Sequence, residues 1–184
     1  IYWQLNDCWP VASWASIEYN GRWKALHYMA KRFYAPQLIS LVEDAEKGTV
    51  DVHITSDELK NRPGRIVCML TDVAGAELEL REKKITITRQ ASVPSMTLNL
   101  QKYIKSHGER NLIVWAELEV DGEVMSSNMA TFARPKHMEL PNPRISVKVK
   151  AAGDDSFTAK LKSRRPAMFA WLDVEGQHAK FSDN

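Results

Sequence analysis

Cysteine is scarce in this chain, and its two copies, Cys8 and Cys68, lie in segments of different character. No CxxC pair occurs, so neither a disulfide framework nor a Cys-based zinc site can be assembled; free buried thiols are expected, as in a reducing compartment. Long apolar runs are also missing. The longest, such as Asn111 to Ala116, fall far short of the ~20 residues that span a bilayer. Excess charge of one sign is absent too: the formal net charge is +2, and basic residues alternate with acidic ones, as in "LREKKITITR". That balance argues against nucleic acid or an anionic membrane as partner. Histidines are scattered one per segment (His27, His53, His107, His137 and His178), so no metal site follows from spacing, and no cofactor is expected.

What is present is an ordinary folding composition, 44% hydrophobic and 26% charged. Three textures succeed one another. Residues 1 to 37 hold four of the six tryptophans and read as strand, loop, helix and stop. Ile1 to Leu5 is a short apolar run suited to a buried strand. Asn6 to Arg22 is an aromatic-rich loop punctuated by Pro10, Asn20 and Gly21. From Trp23 to Tyr34 apolar residues recur at helical spacing, until Pro36 stops the pattern. One strand–loop–helix unit cannot bury its own faces and belongs in a larger β/α architecture.

Residues 38 to 134 switch to period two. Seven runs, "QLISLVED", "TVDVHITS", "RIVCMLTD", "ELELREKKITITR", "SMTLNL", "NLIVWAELEV" and "EVMSSNMATFA", predict seven strands. Lys47-Gly48, Pro63-Gly64, Ala74-Gly75 and Asp121-Gly122 are read as turns between them, the last being the strongest hairpin signal. A short helical turn is expected over Leu100 to Lys105. Seven short strands in about a hundred residues predict an immunoglobulin-like antiparallel β-sandwich. Residues 135 to 143 form a proline-bounded linker. "RISVKVK", "SFTAKLKS" and "AMFAWLDV" then predict three strands of a second, truncated sandwich over 144–184. Trp115 and Trp171 are read as core tryptophans. The fold class is therefore mainly β.

The first 36 residues, "YWQLNDCWPVASWASIEYNGRWKALHYMAKRFYAP", resemble the end of the catalytic barrel in the β-mannosidase branch of the glycoside hydrolase family that also holds β-galactosidases and β-glucuronidases. The match runs through Trp3, Leu5, Asn6, Asp7, Trp9, Pro10, Ser13, Trp14, Tyr19, Gly21, Trp23, Lys24, His27, Tyr28, Lys31, Arg32 and Pro36. "PKHMELPNP" is similar to the linker between the two C-terminal sandwiches of those enzymes. The resemblance implies that Ile1 to Leu5 is the eighth strand of a TIM barrel and Trp23 to Tyr34 its eighth helix, with the site-bearing loop at Asn6 to Tyr19. It implies a chain cut at both ends, through the barrel and through the last sandwich.

The implied activity is release of terminal non-reducing β-D-mannose, with retention, by two glutamates upstream of Ile1. No acidic residue here matches them, and Glu18 is read as a surface or loop-bracing carboxylate. The chain by itself is expected to be inactive. Its substrate contacts are expected at Trp3, as a platform under the sugar or as a plug of the barrel mouth; at Asn6 and Asp7, as hydroxyl ligands, as groups that orient a catalytic glutamate, or as turn residues; and at Trp9, lining the pocket. Trp14 is expected to prop the loop. Two alternatives stand beside this reading: a related exo-β-glycosidase such as an exo-β-glucosaminidase, and a non-catalytic sandwich that binds carbohydrate or protein by itself. Cytoplasmic and periplasmic or secreted locations are both compatible with the sequence.

Overall fold

A computed structural model describes residues 2–177 and 179–182. The chain divides into two compact units, Ile1–Ala35 with Phe169–Asn184, and Pro36–Met168.

In the first unit the helix α1 runs Ala25–Phe33 and buries Tyr28 and Ala30. Lys31 and Arg32 lie in its last turn, where cations favour the exposed carbonyl end. Pro36 bars helical geometry at Ala35, so the helix closes just before it. The segment ahead of it departs from expectation. Ile1 lies outside the described residues, and 2–5 form no strand; Asn6 and Ile17 make only an isolated parallel bridge. A strand is completed by neighbours on its edges, and no flanking strand runs beside this segment among the described residues. The strand expected at "AMFAWLDV" is also irregular. Trp171 there is 47% exposed rather than a core residue, and its ring meets Tyr28 edge-on at 5.5 Å.

The second unit carries the sandwich. Its strands are β1 (Gln37–Asp44), β2 (Thr49–Ser56), β3 (Arg62–Asp72), β4 (Glu77–Ile87), β5 (Ala91–Asn99), β6 (Leu112–Val120) and β7 (Glu123–Ala130), with helix α2 (Gln101–His107) between β5 and β6. Two antiparallel sheets result, ordered β1-β2-β5 and β4-β3-β6-β7. All seven expected strands form, and α2 falls where a helical turn was expected. The period-two pattern explains the core. In β2 residues Val50, Val52 and Ile54 point inward, and in β6 Leu112, Val114, Ala116, Leu118 and Val120 do, all nearly without solvent contact. Burying each such branched side chain contributes ~1.5–3 kcal/mol. Cys68 lies in this core, where burial pushes its thiol up to about 11.

Two details differ from the sequence reading. Pro63-Gly64 is not a turn but lies inside β3, opposite Thr86 and Ile85 of β4. Pairing of β3 with β6 begins only at Arg65, so the donor that Pro63 lacks is not needed on that side. A Cβ at Gly64 would stand 2.9 Å from Ile87 Cδ1 and 3.2 Å from the Glu119 carbonyl oxygen, so glycine permits a close approach rather than a reversal. Trp115, in turn, is not in the main core. It sits half-buried on the opposite face of β6, against a satellite cluster of Val73, Ile113 and Met138, and its Nε1–H donates to Thr71 Oγ1 at 3.0 Å. The linker residue Met138 thus covers one end of the sheet's outer face.

Beyond the linker, β8 (Ser146–Gly153) and β9 (Ser156–Lys162) form an antiparallel hairpin with every residue but Ala159 exposed.

Candidate functional site

The loop between the first segment and α1 is built around a buried carboxylate. Asp7 is only 4% exposed. Its Oδ1 accepts a hydrogen bond from Ser13 Oγ, and Lys24 Nζ donates to Oδ2 at 3.2 Å. The Ser13 hydroxyl in turn accepts from the Ala15 N–H at 2.9 Å, and the Asp7 N–H donates to the Ile17 carbonyl at 3.0 Å. The hydrogen bond from Ser13, assisted by Lys24, holds the Asp7 carboxyl below its ordinary value against the opposing effect of burial.

A second tie lies one turn away. Ser16, fully buried, donates from Oγ to the Leu5 carbonyl at 2.8 Å and stands 3.1 Å from His27 Nδ1. A hydroxyl has one proton, and the carbonyl can only accept. His27 therefore donates from Nδ1 to Ser16, which fixes that nitrogen as protonated. Helix α1 is thereby fastened to the chain on both sides of the loop, by Lys24 at its cap and by His27 within it.

On this frame the aromatic side chains stand outward. Trp3 is 70% exposed, Trp9 65% and Trp14 72%. An open concavity of about 370 Å³ is lined by Gln4, Asp7, Cys8, Trp9, Ser13 and Trp14 among others. Of the four residues expected to contact substrate, the structure brings Asp7 and Trp9 to this concavity; Trp3 and Asn6 do not line it. Asn6 is exposed and its side-chain amide donates to the Asp7 carbonyl at 3.2 Å. The peptide between Trp3 and Gln4 is cis. Trp14, read from sequence as a prop, lines the concavity instead; the propping is done by Asp7, Ser13 and Lys24. The sequence offered little sign of that trio, because a carboxylate, a hydroxyl and an ammonium separated by 6 and 11 residues have no short-range pattern. No three His, Cys, Asp or Glu side chains among the described residues gather as metal ligands.

The two antiparallel sheets define an immunoglobulin-like β-sandwich protein. Residues 48–137 match the family described as a mannosidase Ig/CBM-like domain, and 140–184 an Ig-fold domain. The chain is homologous to β-mannosidases along its whole length and carries their Ig domains. It is 32% identical to a β-mannosidase of Rattus norvegicus, with all of this chain and 22% of the relative aligned. A crystal structure of a β-D-mannosidase from Dictyoglomus thermophilum superposes with a TM-score of 0.79 at 26% identity, covering 94% of this chain and 21% of that one. An exo-chitosanase from Amycolatopsis orientalis shares the fold, with a TM-score of 0.62 at 16% identity over 89% of this chain and 22% of that one. The chain spans about a fifth of the length of the curated relatives it matches.

Proposed function

We propose that this chain serves an exo-acting retaining β-mannosidase, which removes terminal non-reducing β-D-mannose from β-mannosides. Residues 1–37 are the end of its catalytic barrel, 38–134 a buttressing sandwich, 135–143 a linker and 144–184 part of a second sandwich. The cleavage itself belongs to two glutamates outside this chain, one attacking the anomeric carbon while the other protonates the leaving oxygen. This chain forms one wall of the sugar pocket.

The observation that carries the reading is the exposure of Trp3 and Trp9 around a loop braced by Asp7, Ser13 and Lys24. Sugars offer flat C–H faces to aromatic rings and hydroxyls to directed polar groups, and a wall that needs no rearrangement binds them at low entropic cost. Trp9 presents a ring within the concavity, and Trp3 and Asn6 offer an exposed ring and an amide outside it. Asp7 serves the site by fixing the loop, since both its carboxylate oxygens are engaged there.

Steady-state kinetics of the full-length enzyme on aryl glycosides test this. Mannoside is the preferred substrate, and the product first appears as the β-anomer. Trp3→Ala lowers kcat/KM by roughly 10–100-fold, the worth of one aromatic contact at a buried subsite. A preference for a glucosaminide sinks the specificity, and an unchanged Trp3→Ala enzyme sinks the assignment of the wall.

A further inference from the structure

Formal charge is distributed unevenly along the chain. Residues 144–165 hold seven Lys and Arg against two Asp, while the remainder of the chain holds 18 against 21. The two acidic residues, Asp154 and Asp155, occupy the hairpin turn. The register of β8 and β9 then sorts the rest. Val147 faces Leu161, Val149 faces Ala159 and Ala151 faces Phe157, giving one apolar face. Lys148 lies opposite Lys160, Lys150 opposite Thr158 and Ser146 opposite Lys162, so four ammonium groups share the other. These lysines and Thr158 line a common shallow depression, and none of the four makes an ion pair among the described residues.

Such a face is costly. Like charges directly opposite on neighbouring strands destabilise a ladder, as Lys148 and Lys160 must. Guarding a sheet edge from unwanted pairing asks for a charge along the edge and does not ask for lysines facing one another across the ladder. An anionic partner would turn the repulsion into attraction.

We propose that the lysine face of the β8–β9 hairpin is a binding surface for an anionic polysaccharide, one carrying sulfate, phosphate or carboxylate groups along its length. Residues two apart on a strand are ~6.5–7 Å apart and direct cross-strand neighbours ~5 Å, so the ammoniums form a short straight track suited to a linear polymer with repeating charge. All four cations are lysines, point charges on flexible stems that need no fixed acceptor geometry. Among the described residues the hairpin carries no aromatic ring on this face to stack a base, since Phe157 lies on the other, which disfavours single-stranded nucleic acid. The Thr158 hydroxyl adds a partner for sugar hydroxyls. The choice of a glycan over other polyanions rests on the glycosidase reading above.

Titration of the whole chain with dextran sulfate, unsulfated dextran and a 20-base-pair DNA duplex in low salt tests the proposal. Dextran sulfate binds and dextran does not. Lys148→Gln with Lys160→Gln weakens binding by about tenfold or more and makes the slope of log K against log salt shallower by roughly 1–2, as expected for two lost ion contacts. Lys60→Gln with Lys105→Gln, an equal change in net charge elsewhere, leaves it within about twofold. Lys150→Gln with Lys162→Gln repeats the first test should the first pair fail to fold by circular dichroism. Equal losses from the hairpin and control pairs, no binding of dextran sulfate, or tighter binding of the duplex each overturns the proposal. Hydrolysis plays no part in this readout, so failure of the mannosidase reading shows separately, in the kinetics.

Discussion

A carboxylate that gives up water must find donors, and Asp7 finds them within its own loop. Ser13 and Lys24 satisfy one oxygen each, so the cost of burying the charge is offset locally. Folding lowers the Asp7 carboxyl below its ordinary 3.8. As pH falls the unfolded chain therefore takes up this proton first, and the brace contributes in full above about pH 5 and is lost as pH drops below about 4. Asp7→Asn removes the Lys24 ion pair at every pH. In urea unfolding followed by tryptophan emission, the gap between the parent and this variant is expected to be equal at pH 7 and pH 5 and to shrink at pH 3.5. A gap that persists at pH 3.5, or is missing at pH 7, contradicts the brace. The resemblance pointed to Asp7 as a residue of interest, but whether its carboxylate faces outward or inward depends on Ser13 and Lys24 closing on it. That is a tertiary fact with no local signature.

At the scale of elements, the sheets were readable because alternation states which face is buried. β1 and β2 fall on the bounds of "QLISLVED" and "TVDVHITS". Alternation does not state what lies alongside. Tyr2 to Leu5 and Ala167 to Val174 carry apolar patterns too, yet without partner edges they stay irregular. Glycine is equally ambiguous: it signals a reversal or a close approach, and Gly64 is the second kind. The Asp121-Gly122 signal is the first kind. Both residues have positive φ, 53° and 86°, and Val120 pairs with Glu123 across them, the geometry of a type I′ hairpin. Nothing lies within 4 Å of a Cβ added at Gly122, so the cost there is one of backbone conformation alone. Gly122→Ala is expected to lower stability by about 1 kcal/mol, with Glu123→Ala near neutral, measured as urea midpoints at constant slope. Equal midpoints for the two variants would refute the turn assignment.

For the molecule as a whole, burial is concentrated in one place. The main core lies between the two sheets of 37–130 and extends to Phe132, while the linker's Met138 seals the outer face beside Trp115. The hairpin β8–β9 buries almost nothing, and the loop before α1 leaves Trp3, Trp9 and Trp14 mostly in solvent. Exposed aromatic side chains of that kind often mark a place where another surface rests, which is what the proposed pocket wall requires. Local opening free energies follow buried contacts, and proteases sample the open forms. Trypsin has targets everywhere, including Lys24 at the cap of α1, Lys31 and Arg32 within it, and Lys148 to Arg165 around the hairpin. It also has Arg62, Arg65 and Lys83 within the sheets, where strand pairing withholds the backbone. Brief digestion of the native chain is therefore expected to strip both flanks and leave a resistant product, its ends resolved by mass spectrometry near residue 36 and between residues 136 and 144. First cuts inside β3, β4 or β6 would mean that the sandwich opens as easily as its flanks. The stability of the molecule would then lie somewhere other than in the period-two core that the sequence made visible.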